Sequence, residues 1–335
     1  MSPGGGVSTG GGPRRRLVGD IGGTNARFAI AQDGKLGDIR VLPAVEHPTL
    51  EHAVKAFLAM VPAAEQPHEA AFAVAGPVTG DRMAFTNHAW SFSIAELRTA
   101  LGLERLQIVN DFSANALAVP YLADSELQRI GGGTAVPDQP IGILGPGTGL
   151  GVSGLIPVPP SAQAEVKPPA RRWVPLAGEG GHITMAARTD QESRLLDHLR
   201  SRFDHVSAER VLSGQGLVHI YEGLAALEGK PSTGYTPAQI TDPAQGASDP
   251  LCNAAVEMFC AMLGTVASDL ALTLGARGGI YLAGGILPRL GTRLIASPFR
   301  GRFEAKGRFS PYLQAIPTRL ITHPSPAMVG LANLP

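Results

Sequence analysis

The chain has 335 residues, 44% of them apolar, enough for a sizeable core and for more than one domain of ordinary size. Its 28 basic and 28 acidic residues cancel, and they form no basic block that would attract nucleic acid or an anionic membrane. The two cysteines, Cys252 and Cys260, form no CxxC pair and read as core thiols on one helix face, which leaves no zinc or redox motif.

In chain order, residues 1–16, MSPGGGVSTGGGPRRR, are glycine-rich, and 1–13 read as a disordered leader. Asp20 interrupts the apolar run after the arginines, so the segment does not read as a signal peptide. No stretch reads as long and apolar enough to cross a membrane. The fold opens at Leu17, where LVGDIGG and ARFAIA read as two strands joined by a glycine turn, with a second turn at Asp33-Gly34. A helix over 50–61, a strand over 71–75 and a loop around Thr86-Asn87-His88 follow. Ser93 and Glu96 form a capping-box pair that opens a helix ending at Gly102. LQIVN reads as a buried strand, with a helix starting just after Asp111.

The pattern then restarts. IGILG and VSGLI flank Gly147-Thr148-Gly149-Leu150-Gly151 and repeat the strand, glycine turn, strand unit of 17–31. Residues 157–172, PVPPSAQAEVKPPARR, read as an exposed Pro-rich excursion. Helical periodicity covers 189–203 and 214–228, and 229–249 reads as loop. Asp249-Pro250 supplies an N-cap and N1 proline for a helix with Val256, Phe259, Leu263, Val266, Leu270 and Leu274 on one stripe. GIYLAGGILPRL reads as a strand entering a glycine turn and a helix. Alternating strands and helices with a half-repeat predict an α/β architecture of two related domains with a cleft between them.

Three clusters carry chemistry. Gly19-Asp20-Ile21-Gly22-Gly23-Thr24 is a turn whose N–H groups can cradle a phosphate, and the Asp20 carboxylate can orient water around Mg²⁺. The plain alternative is a bare hairpin. Gly147, Thr148, Gly149 and Gly151 make a second such turn, and two in equivalent places suggest a two-sided phosphate clamp. No GxxxxGK[ST] is present, and the GxGxxG match from Gly149 to Gly154 runs into prolines rather than a helix, which excludes P-loop and dinucleotide readings. Asn110-Asp111 ends an apolar strand, where ligands bind in open α/β sheets; Asp111 is either a helix cap or a general base for phosphoryl transfer. Gly178-Glu179-Gly180-Gly181-His182 sets a carboxylate and an imidazole among glycines that permit unusual backbone angles, a pairing able to hold adjacent hydroxyls. Glu209 follows Ser207, and its residue type alone fits an acid in a first helical turn.

Taken together, GDIGGTNARFAIA, TNHAWSFSIAEL, IVNDFSANALAVP, GPGTGLGV, GEGGH, HVSAERVLSGQGLV, LAGGILPR and KGRF resemble the bacterial-type glucokinases of the actin-like (ribonuclease H-like) sugar-kinase superfamily. The resemblance runs from Leu17 onward. It implies a two-domain α/β fold: a small domain of 14–122 plus 323–335, a large domain of 123–322, and an interdomain cleft that closes to exclude water. It implies phosphorylation of D-glucose at the 6-hydroxyl by ATP with Mg²⁺, with Asp111 as base and Asn110, Glu179, His182 and Glu209 on the sugar. It places ATP on Gly19, Asp20, Ile21, Gly22, Gly23 and Thr24, on Gly147, Thr148 and Gly149, and near Gly284 and Gly285. No metal site is made by protein alone. A cytoplasmic homodimer is implied, with no nucleic-acid or membrane partner. A kinase for another hexose and a non-kinase actin-like ATPase are the alternatives, and the second has no use for GEGGH. The leader and the 157–172 excursion exceed the family's usual shape.

Overall fold

The computed structural model describes residues 14–85, 90–158 and 172–334; the leader, the loop at Thr86-Asn87-His88 and 159–171 of the Pro-rich excursion lie outside the described residues. Two compact units result, Met1–Asp111 with Met328–Leu334 and Phe112–Ala327.

The first unit is built on β1 (Arg15–Ile21), β2 (Asn25–Gln32), β3 (Lys35–Leu36), β4 (Arg40–Pro43), α1 (Leu50–Leu58), β5 (Glu69–Val74), β6 (Arg82–Ala84), β7 (Ser91–Ser93), α2 (Ile94–Ala100) and β8 (Arg105–Asn110). Its sheet runs β3-β2-β1-β5-β8, with β4 on β2. The β1–β2 pair is antiparallel, whereas β1, β5 and β8 are parallel. β5 is buried almost throughout, as a strand covered on both faces must be. Phe28 packs on Phe57 at 5.6 Å and edge-on to Phe72 at 6.1 Å between ring centroids. A Cβ on Gly19 would lie 2.8 Å from Phe72 and 3.0 Å from Phe28, so this glycine makes room for two rings. Thr49 caps α1, and Ser93 caps α2 by accepting the Glu96 N–H at 3.1 Å. Buried Arg16 donates to the Leu331 carbonyl at 3.1 Å and pairs with Glu69 at 3.2 Å, tying the C-terminal residues to β1 and β5.

The second unit contains α3 (Asp111–Ala118), whose first residue closes the first unit, then β9 (Leu127–Arg129), β10 (Ile141–Pro146), β11 (Leu150–Val158), β12 (Arg172–Leu176), α4 (Asp190–Arg200) and α5 (Gly214–Leu227). Next come α6 (Pro237–Thr241), α7 (Pro243–Ser248), α8 (Pro250–Leu274), β13 (Ile280–Leu282), α9 (Leu287–Leu290), α10 (Thr292–Ala296), α11 (Phe299–Glu304), α12 (Ser310–Gln314) and β14 (Thr318–Ile321). The sheet order is β12-β11-β10-β13-β14-β9. Its first five strands match β3-β2-β1-β5-β8 one for one: an antiparallel hairpin, then two strands parallel to its first arm. The half-repeat read from the two glycine turns is therefore a repeat of topology.

Two expectations are corrected. Residues 229–249 are not loop throughout, because α6 and α7 lie there, each opened by a proline at its first position behind a capping Thr236 or Asp242. The helix α8 is long and apolar enough to span a membrane by length and composition, with mean hydropathy 1.5. Its apolar window is 78% buried, with Val256, Phe259, Leu263 and Val266 in the core of the unit, and Gly275 ends it in a left-handed conformation at φ 60°.

Candidate active site

In the first unit, register puts three strand ends in line: Ile21 pairs with Val74, and Val74 with Asn110. Strands are spaced by about 4.8 Å, so the turn after β1 and Asp111 after β8 sit about 10 Å apart on one sheet edge. Gly22 N–H closes the turn onto the Asn25 carbonyl at 3.0 Å. Among the described residues the N–H groups of Gly23 and Thr24 meet no backbone carbonyl. Asp20 precedes the turn and pairs with Arg27, its cross-strand neighbour, at 3.3 Å. Burial pushes the Asp20 carboxyl above the usual range, and the Arg27 guanidinium pulls the other way. Of the six residues in the predicted turn, Gly19 and Ile21 have packing roles, Ile21 being 1% exposed. Asn110 Nδ2 donates to the Gly76 carbonyl at 3.3 Å, and Asp111 is the first residue of α3.

Sequence reasoning missed Gly76. It stands two residues beyond β5 with φ 101°, as Gly284 stands two residues beyond β13 with φ 88°. The Ala-Gly pair repeated after the second parallel strand of each half was the signal that marks it. Gly284 also comes so close to the Pro146 carbonyl that a Cβ would collide, which brings the Gly284-Gly285 turn against the end of β10.

In the second unit, Gly147-Thr148-Gly149 joins β10 to β11, with Gly147 N–H on the Gly149 carbonyl at 2.8 Å. Beside it two distant segments zip together. Thr184 bridges Ser207, Ala208 N–H donates to Ile183 at 2.8 Å, Met185 N–H to Val206 at 3.0 Å and Glu209 N–H to Gly181 at 2.9 Å. This pairing puts His182 and Glu209 on one pocket of about 540 Å³, shared with Arg202, Phe203, Asp204, His205, Ser207 and Arg210. Glu179 opens the one-turn helix that carries His182, accepting the His182 N–H at 3.0 Å, and does not line this pocket.

Here too the reasons differ from expectation. Gly178, Gly180 and Gly181 have no left-handed φ. Gly180 and Gly181 are glycines because β11 leaves no room: a Cβ would sit 2.8 Å from Val152 at Gly180 and against the Leu150 carbonyl at Gly181. Glu209 is not in a helix, since α5 starts only at Gly214. The Ser207 hydroxyl still accepts the Arg210 N–H at 3.3 Å, but pairing with 181–185 holds the segment as a turn. Further support comes from His219, which meets the Arg210 carbonyl at 2.8 Å, and from the Arg210 guanidinium lying 4.3 Å from the Phe203 ring centroid.

A family model described as Glucokinase matches residues 17–334. The chain is 50% identical to a glucokinase of Nitrobacter hamburgensis over 96% of its own length and 97% of the relative's. It is 54% identical to one of Paramagnetospirillum magneticum, over 95% and 96%. A crystal structure of a glucokinase from an Antarctic psychrotroph superposes with TM-score 0.85 at 38% identity, covering 95% of this chain and 97% of that one.

Proposed function

The chain belongs to the glucokinase family, and from that premise we propose that it transfers the γ-phosphoryl group of ATP to the 6-hydroxyl of D-glucose. Asp111 takes the proton of the 6-hydroxyl as that oxygen bonds to the γ-phosphorus. The bond to the bridging oxygen breaks and ADP leaves. Asn110, Glu179, His182 and Glu209 hold the other sugar hydroxyls, the carboxylates as acceptors and the imidazole as donor or acceptor. The N–H groups of Gly23 and Thr24, in the turn closed by Gly22, and of Thr148 and Gly149, in the turn closed by Gly147, bind phosphate oxygens, with Gly284 and Gly285 beside the adenosine. One carboxylate at the mouth of a phosphate turn fits a Mg²⁺ held mostly by ATP and water, so Asp20 is the residue to orient it. The ion supplies neutralisation of phosphate charge.

The observation that supports this reading best is the pairing of 181–185 with 206–209, which sets two hydroxyl-binding side chains beside a glycine turn. An actin-like ATPase has no need of it. A coupled assay with glucose, mannose, fructose and N-acetylglucosamine against ATP, ADP and polyphosphate tests the reading. Glucose with ATP should give the highest kcat/KM, and a higher value for another hexose would transfer the assignment to that sugar. The same likeness supports a cytoplasmic homodimer, for which light scattering should give twice the chain mass.

A further inference from the structure

Glu209 touches both substrates' binding elements. Its carboxylate accepts the Leu150 N–H at 2.9 Å, at the exit of the Gly147-Thr148-Gly149 turn. Gly149 has to be glycine for this, since a Cβ there would collide with that carboxylate oxygen. Its own N–H is fixed to Gly181 in the hydroxyl-binding loop at 2.9 Å. The other end of the turn is held from the same stretch, Gly214 N–H donating to the Gly147 carbonyl at 2.8 Å. A negative oxygen thus occupies a donor on a turn that is to receive phosphate. Like charges at close range disfavour each other's binding.

We propose that Glu209 is a sugar-responsive latch on the nucleotide turn, an inference that rests on the sugar-kinase reading above. Without sugar the carboxylate holds the Leu150 N–H and repels the phosphates of ATP. A sugar hydroxyl gives the carboxylate a new donor, which draws it from Leu150 and leaves that N–H for a phosphate oxygen. Sugar therefore tightens nucleotide binding, and by linkage nucleotide tightens sugar binding by the same factor.

The test is calorimetry of a non-hydrolysable ATP analogue with and without saturating glucose, for wild type and Glu209→Gln. The amide keeps an acceptor for Leu150 but removes the charge. Glucose should tighten wild-type binding by about 5–150-fold, the span usual for coupled sites. Sugar-free Glu209→Gln should already bind the analogue more tightly than sugar-free wild type, a comparison that needs no sugar binding. The Leu150 amide resonance of wild type should also move on adding glucose alone, which decides the matter even if the variant does not fold. Equal sugar-free affinities, or a Leu150 amide unmoved by saturating glucose, overturn the latch while leaving the kinase reading intact. A wild-type protein that binds neither glucose nor the analogue overturns both.

Discussion

Replacing Gly181 by alanine tests the geometry of the loop that carries Glu179 and His182 most sharply, because Gly178 nearby provides its control. A Cβ at Gly181 would strike the Leu150 carbonyl, which is strand backbone and cannot swing aside, whereas at Gly178 it would meet nothing within 4 Å. Overpacking of this kind costs about 1–3 kcal/mol. For a unit the size of the second one, that corresponds to a fall in Tm of about 2–12 °C. The loop must also move from β11, carrying the Gly181 carbonyl that fixes Glu209 and the neighbouring His182. A misplacement near 1 Å can cost about 10²-fold in rate. Gly181→Ala should therefore lower kcat/KM for glucose about 10–100-fold. Gly178→Ala should match wild type in both Tm and kinetics. Steady-state assays beside melting curves check this. Equal behaviour of the two variants would refute the claim that close packing on β11 sets the loop.

Other expectations follow from the same residues. Glu179→Gln loses hydrogen bonds made by a charged group, worth about 1.5–3 kcal/mol, and should lower kcat/KM for glucose about 10- to 150-fold with ATP affinity retained. Gly23→Val should raise the KM for ATP far more than that for glucose, as read by steady-state kinetics on a protein shown to be folded. Burial pushes the Cys252 thiol up to about 11 and that of Cys260 up to about 12. Both should resist thiol reagents at pH 8 until denaturant is added. The unfolded thiols ionise near 8–9 while the folded ones stay protonated, so stability against urea should decline as pH rises above about 9.

The two halves were legible because each carries a glycine turn between apolar strands, a local pattern that topology then obeys. Asn110 and Asp111 were legible for the same reason, since the end of LQIVN is the end of β8. What stayed hidden depends on distant partners. That Gly19 lies against Phe28 and Phe72 is not announced by its neighbours in sequence. Ser207 looks like a helix cap until Thr184 pairs with it and turns the chain. Residues 229–249 read as loop, whereas Pro237 and Pro243 each open a short helix at a first-turn position that needs no N–H. The contact of Glu209 with Leu150 joins residues 59 positions apart, and nothing local announces it.

Asp111 is the proposed acceptor of the proton when ATP phosphorylates glucose. Its role is read from kcat for glucose 6-phosphate formation by Asp111→Asn, beside the dissociation constant for glucose. Asparagine keeps the shape but cannot take the proton, so kcat should fall about 10²–10⁴-fold or more. The dissociation constant should stay within a few fold. A variant that keeps most of its kcat while binding glucose normally would contradict the account.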